Sequence, residues 1–278
     1  MLYSSARALC LPRSNYFRQR CSHAGTVAPL LQDGVKLPLV AAPPAIDIGY
    51  EGVSTLEVLE AAVNYNRWIG DTLLRHLRAP ALEIGAGTGN LTSQFADRLP
   101  VHATDADPGL VAALRQRFAG DERVSVGRLD VCQPAPDELR GRFASTVAVN
   151  VLEHIEDEQA ALTTMADVLA PGGSLVLLVP AKKFAYSRLD AALGHCRRYE
   201  RGELVDTLQG AGFSVHRVHF FNIVGLLSWW LRDKLDRQHL MRPSQVALFD
   251  HICPTLQFLE GLVRPPLGVS LIAVASRA

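Results

Sequence analysis

Two hydrophobic periodicities alternate along the chain. Ala81 to Ile84 is a short apolar run, and after a turn with glycines at every second position Leu91 to Leu99 carries apolar residues at helical spacing. Further runs follow at Val101 to Asp105, Val124 to Val126, Ser145 to Val149 and Ser174 to Val179. Glu158 to Leu169 has the helical period and closes on Pro171-Gly172-Gly173 before the fifth run. A helix from Arg201 to Gln209, stopped by Gly210-Ala211-Gly212, leads to a sixth run at Phe213 to Phe220, and Val269 to Ala275 is the seventh. Strands that alternate with helices predict an α/β fold.

Three segments lie outside this alternation. Ser54 to Leu77 reads as a helix, with Ser54 as N-cap and Glu57 as its capping-box partner. Residues 221–266 form an insertion before the last strand. In it Asn222 to Leu231 is strongly apolar, Arg232 to Arg237 is charged, and Val246 to Leu262 is again helical. Such an apolar pair needs cover, and packing on its own domain is the favoured solution over a lid, a homodimer face or a membrane-surface contact. Residues 1–50 read as a tail: Met1 to Gln32 is arginine- and serine-containing and free of acids, and Leu37 to Pro44 is a proline-rich linker. The folded domain is therefore expected over 51–278, beginning near Ser54. The tail's composition makes organelle import the alternative to a cytoplasmic protein.

The chemistry is concentrated at Glu83-Ile84-Gly85-Ala86-Gly87-Thr88-Gly89-Asn90. A strand, a glycine turn and a helix start let backbone approach a ligand closely and offer unpaired N–H groups. A dinucleotide fingerprint would place its third glycine at position 90, where Asn90 stands, and a P-loop needs a Gly-Lys-Ser/Thr run that is absent. Glu83, two residues before the first glycine, repels a pyrophosphate and suits a cationic ligand.

With this Glu-x-Gly-x-Gly-x-Gly pattern the chain resembles the class I S-adenosylmethionine-dependent methyltransferases. The resemblance implies a Rossmann-like seven-stranded sheet of order 3-2-1-4-5-7-6, the last strand antiparallel, with an N-terminal helix before it. It implies that Glu83, Gly85, Gly87 and Gly89 hold the amino-acid end of S-adenosylmethionine. Asp105, about 20 residues on, is then the ribose ligand, and Asp130 with the Val131 backbone takes the adenine. Asn150-Val151-Leu152-Glu153-His154-Ile155 resembles the segment that follows the fourth strand in the family, which implies Asn150 as a further cofactor-binding residue. Tyr65 and Trp68, in the aromatic stretch of the first helix, are implied to close the cleft.

After the fifth strand, Tyr186-Ser187-Arg188-Leu189-Asp190 and Gly194-His195-Cys196-Arg197-Arg198-Tyr199 resemble the signature of a bacterial branch of that family, Tyr-Ser-x-Leu-Asp then Gly-His-x-Arg-Arg-Tyr. The loop leaves the carboxyl end of a central strand, where open sheets bind ligands. It is therefore expected to face the acceptor through Tyr186, Asp190, Arg197 and Arg198, the arginines holding a carboxylate or phosphate and His195 serving as a general base. The alternative is an ordered lid in which Asp190 pairs with an arginine.

Composition narrows the partners. Formal net charge is zero, which gives no reason to expect nucleic acid. Cys10, Cys21, Cys132, Cys196 and Cys253 are scattered and lack a CxxC pair, so neither a disulfide framework nor a zinc knuckle is expected. His216 and His219 have no carboxylate at ligand spacing, and no metal is expected. The expected reaction is methyl transfer to a small-molecule, lipid-like or sugar-linked acceptor by in-line displacement. Its rivals are a relative that binds the cofactor without transferring methyl, and a nicotinamide-dependent oxidoreductase.

Overall fold

The central strands are apolar on both sides because helices cover both faces of one seven-stranded sheet. The computed structural model describes residues 62–235, 243–263 and 265–277. Its strands are β1 (Ala81–Ile84), β2 (Val101–Asp105), β3 (Val124–Arg128), β4 (Phe143–Val149), β5 (Leu169–Pro180), β6 (Phe213–Phe221) and β7 (Ser270–Arg277). They lie in the order β3-β2-β1-β4-β5-β7-β6. The pairs among β1 to β5 are parallel, and β7 runs antiparallel between β5 and β6. This is the Rossmann-like methyltransferase order. It places the carboxyl ends of β1, β2, β3 and β4 side by side, with the order reversing outward from β1 and β4, where open sheets form their ligand crevice.

The helices are α1 (Val63–Leu74), α2 (Asn90–Ala96), α3 (Pro108–Arg117), α4 (Glu158–Val168), α5 (Arg188–Ala192), α6 (Arg201–Gly210), α7 (Ile223–Leu235) and α8 (Pro243–Leu262). Local chemistry sets several of their starts. Asp107 caps α3 by accepting from Gly109 N at 2.7 Å and Leu110 N at 3.0 Å, with Pro108 at the first helical position, and Asp157 caps α4 through Ala160 N. Trp68, Ile69 and Leu73 of α1 are buried against Phe95, Val147, Val176, Phe221 and Ile272, and the Trp68 ring lies 4.5 Å from that of Phe221. Each such side chain contributes about 1.5–3 kcal/mol on burial.

Several boundaries differ from the sequence pattern or lie beyond what the structure describes. The first helix is described from Val63, so Ser54 and Glu57, like the tail, the linker and the last two residues of the Arg232 to Arg237 run, lie outside the described residues. Pro171-Gly172-Gly173 is not a stop before the fifth strand. β5 begins at Leu169 opposite Phe143 and resumes at Ser174 opposite Ser145, so the three residues form an irregularity inside it. Gly172 takes a φ of +69° there. β6 runs one residue further, to Phe221 opposite Ser270, and β7 runs on to Arg277 opposite Phe213.

The insertion folds as α7 and α8. Asp250 of α8 accepts from Tyr65 N at 2.8 Å and from Asn64 Nδ2 at 3.1 Å, and Cys253, Phe249 and Leu256 join the core under α1. The opposite face of α8, with Leu248, Ile252, Leu259 and Leu262, stays exposed. Packing on the domain therefore covers one side of the pair. Among the described residues no helix is long and apolar enough to cross a membrane.

Candidate active site

The glycine turn joins β1 to α2, and its glycines have separate tasks. Gly85 has a φ of +70°, and a Cβ there would stand 2.5 Å from Val151 Cγ2, so the turn is closed against the segment after β4. Gly87 has a φ of +57° and a Cβ would meet nothing within 4 Å. Open space at the middle of such a turn is a cradle for a ligand. Gly89 is the N-cap of α2.

Carboxylates from adjacent strands converge on this turn. Asp105 accepts from Gly87 N through Oδ2 at 3.0 Å and from Asp107 N through Oδ1 at 3.0 Å. Burial raises its carboxyl above the ordinary value, against the backbone hydrogen bonds from Asp107 and Gly87 that lower it. Asp130 lies just past β3, half-buried, and accepts from Cys132 N at 2.9 Å, while Leu129 N donates to the Asp105 carbonyl. Val131 is buried beside it. Asn150, exposed at the end of β4, has a φ of +52°.

Glu83 departs from its expected state. It is buried in β1 beneath the turn, with Thr92 Oγ1 donating to its Oε2 at 2.6 Å. Burial pushes its carboxyl up to about 8, the Thr92 hydrogen bond working against the rise and Asp105 adding to it. Burial therefore favours its protonated form near neutral pH, and a cation standing nearby would favour the ionised one.

The loop after β5 is pinned at both ends. Ala181 and Tyr199 form a parallel bridge, Lys182 N donates to the Tyr199 carbonyl, and Tyr199 N to that of Pro180. The Tyr199 hydroxyl donates to Glu158 Oε2 at 2.8 Å, and Arg197 Nη1 lies 2.9 Å from the same oxygen. Inside the loop, Asp190 is fully buried. It accepts from Ser187 N and Oγ at 2.8 Å and from Arg198 Nε at 2.9 Å, and its Oδ1 is 2.8 Å from His195 Nδ1. Burial opposes ionisation of Asp190, but the His195 hydrogen bond and Arg198 outweigh it and hold the carboxyl below its usual value.

This geometry corrects the roles expected of the loop. Arg198 is 2% exposed, donates through Nη1 to the Ala181 carbonyl, and lies 4.8 Å over the Trp229 ring. Asp190 and Arg198 are the loop's internal ion pair, buried within it and not open to the cleft. Arg197 is spent on Glu158 and the Glu156 carbonyl. His195 presents Nδ1 to Asp190 at 2.8 Å, which leaves Nε2, 4.0 Å from Glu153 Oε1, as its open nitrogen inside the fold. Tyr186 is exposed, and its hydroxyl donates to the His195 carbonyl at 2.7 Å. Trp68 is core. Tyr65 packs between Trp68, Phe221 and Phe249, with its hydroxyl on the Asn222 side chain and its pKa pushed up to about 12 by burial.

The sequence pattern gave no role to Glu153 and His154. They follow β4 in a single 3-10 turn, Leu152–His154, which sets them against His195, about 40 residues later. The His154 and His195 rings meet edge to face with centroids 4.7 Å apart. Glu153 is fully buried, and burial pushes its carboxyl up to about 8, offset in part by its own backbone N–H and by Arg198. Separation along the chain hid this cluster, since no local spacing links the two segments.

Residues 82–175 match a family model described as a methyltransferase domain. Over 112 residues the chain is 36% identical to lovastatin diketide synthase of Aspergillus terreus, a stretch covering 36% of this chain and 4% of that protein. Juvenile hormone acid O-methyltransferase of Drosophila melanogaster is 29% identical over 103 residues, 35% of each chain. The chain thus aligns with only part of each of these relatives. Among solved structures, the [4+2]-cyclase SpnF superposes with a TM-score of 0.51 at 16% identity, over 76% of this chain and 81% of that one. A chain of the Haloferax volcanii complex of the Trm112 methyltransferase activator reaches 0.54 at 13% identity, over 81% and 94%. At these identities the likeness is one of fold.

Proposed function

We propose that the protein transfers a methyl group from S-adenosylmethionine to a small-molecule, lipid-like or sugar-linked acceptor, in the cytoplasm and without a nucleic-acid partner. The observation that carries this reading is the Gly87 turn with Asp105 beneath it: open space at a positive-φ glycine, beside a carboxylate at the end of the neighbouring strand. The methyltransferase-domain match over residues 82–175 spans this turn and the three strand ends around it.

The residues fit the cofactor. Gly87 leaves room for its amino-acid end while Gly85 and Gly89 let the turn close on Val151 and Phe118, Glu83 supplies a carboxyl that ionises when a cation arrives, Asp105 takes the ribose hydroxyls, and Asp130 with Val131 N–H takes the adenine. Bound there, the cofactor supplies a methyl group on a sulfonium whose charge is lost on transfer. The chain's own contribution is then alignment and exclusion of water, which accounts for a strong cofactor cradle beside a weak catalytic signature. Asn150, at the end of β4, would add to the cofactor's contacts, and Tyr186, in the loop after β5, would face the acceptor.

Calorimetry with S-adenosylmethionine, S-adenosylhomocysteine and NAD tests the cofactor, with binding expected for the first two alone. NAD binding without a response to either adenosyl ligand overturns the reading. Metabolite profiling of a deletion strain tests the transfer, with a product lighter by one methyl group expected. SpnF shows that a [4+2]-cyclase shares this fold. Cofactor binding with no methylated product lost would mark a relative that binds without transferring.

A further inference from the structure

We propose that Glu153, His154 and His195 form a divalent metal site of the zinc class beside the cleft, with an open coordination position. One ligand atom from each of the three lies within 4.8 Å of the other two. Two imidazoles and one carboxylate, leaving a fourth position open, is a donor set that zinc accepts in catalytic centres. Imidazole donors also argue against magnesium or calcium, which take oxygen.

A second, independent observation points to a cation. Glu153 has no exposed surface, and neither of its carboxylate oxygens is in hydrogen-bond geometry with another residue. A carboxyl buried in this way is costly unless something compensates it. Arg198, whose charge acts on it, is already committed to Asp190 and the Ala181 carbonyl. A metal ion between Glu153 and the two rings supplies the missing partner.

The outer groups are arranged as metal sites arrange them. Asp190 Oδ1 stands 2.8 Å from His195 Nδ1, which fixes that nitrogen as the donor and turns the Nε2 lone pair toward Glu153. Asp190 is itself held by Ser187 and Arg198. His154 Nδ1 lies 3.3 Å from the Gly194 carbonyl, leaving its Nε2 for a ligand. Zinc bonds of roughly 2.0–2.2 Å set the edges of a tetrahedron at about 3.3–3.5 Å. The cluster must therefore draw in by about 1 Å, and His154, the exposed member, can supply the movement by side-chain rotation. The same exposure gives the ion a route in. This site runs against the absence of metal expected from the sequence, where only His216 and His219 stood near each other.

The test uses the untagged full chain, stripped with a chelator, passed over a desalting column and loaded with Zn²⁺ or Co²⁺. One zinc per chain by elemental analysis and a visible d–d spectrum of tetrahedral intensity with Co²⁺ are expected. His154→Ala, at an exposed position, should fold normally and lose at least about tenfold in zinc affinity, the scale on which even supporting residues act at metal sites. Glu153→Gln should lose as much, and Zn²⁺ should raise the melting temperature of the wild type but of neither variant. S-adenosylhomocysteine affinity should be unchanged in His154→Ala, which separates this site from the cofactor cradle. Failure of the wild type to hold zinc, or equal zinc affinity in the wild type and His154→Ala, overturns the proposal and leaves the cofactor reading untouched.

Discussion

Asp105 Oδ2 accepts the backbone N–H of Gly87 at 3.0 Å, so the end of β2 holds the centre of the glycine turn that follows β1. One carboxylate thereby shapes the cradle and offers its remaining lone pairs to a ligand's hydroxyls. Asp105→Ala should weaken S-adenosylhomocysteine binding by about 1.5–3 kcal/mol, the range for losing charge-assisted hydrogen bonds. Asp105→Asn, which keeps one acceptor oxygen, should lose less. Titration calorimetry checks both, and wild-type affinity in the alanine variant of a folded protein would place the cofactor elsewhere.

Gly85 and Gly87 should fail in different ways. Both have positive φ, so a side chain at either costs about 1–2 kcal/mol from the left-handed backbone alone. At Gly85 the new methyl also strikes Val151, whereas at Gly87 it enters open space. Gly85→Ala should therefore show its larger defect in denaturant unfolding. Gly87→Ala should lose little more than the backbone cost in stability and much more in ligand affinity. Equal ligand affinity in Gly87→Ala and the wild type would mean that the open space is not the ligand's path.

The glycine turn and the acids at the strand ends were readable because their signals are local. Glycines two apart after a strand, and acids at the ends of successive apolar runs, survive as patterns in a linear sequence. The sheet order and the antiparallel last strand followed from the resemblance those patterns carried. The interior of the loop after β5 was not readable for the opposite reason. Asp190, His195 and Arg198 look like a reactive cluster in one dimension, but burial converts two of them into an internal ion pair. Glu153 and His154 carry no local signal at all, and gain a partner only when the loop after β5 folds back over the end of β4. The state of Glu83 was missed on the same ground, since its charge depends on burial and on Thr92.

The protonation of Glu83 predicts a pH dependence. Its carboxyl is raised by burial from 4.5 in the unfolded chain to about 8 in the folded one. Between these values the folded state holds a proton that the unfolded state has lost, so unfolding free energy falls as pH rises, by up to about 1.4 kcal/mol per pH unit. Below the unfolded value both states are protonated, and above the folded value both are ionised, so the contribution is flat at either end. The difference in unfolding free energy between wild type and Glu83→Gln should follow this course, isolating Glu83 from other groups. A difference that is constant from pH 5 to 8 would show that the carboxyl ionises normally in the fold.

The last prediction concerns Arg197 and Arg198, neighbours in sequence and opposites in environment. Arg198 is paired in the interior with Asp190, while Arg197 meets Glu158 with about a quarter of each side chain still exposed. Removing one partner of a buried ion pair leaves the other charge uncompensated and typically costs about 3–5 kcal/mol. An exposed pair typically contributes about 0–1 kcal/mol, and partial burial moves Arg197 little beyond that. Arg198→Ala should therefore lower unfolding free energy by about 3 kcal/mol or more in urea, and Arg197→Ala by about 1 kcal/mol. Arg198→Lys should recover only part of the loss, because an ammonium cannot serve Asp190 and the Ala181 carbonyl with the fixed spread of a guanidinium. If Arg198 instead bound an acceptor's anionic group, its alanine variant would be nearly as stable as the wild type and defective only in KM. Comparable stability losses in the two alanine variants would likewise contradict the assignment of Arg198 to the loop's interior.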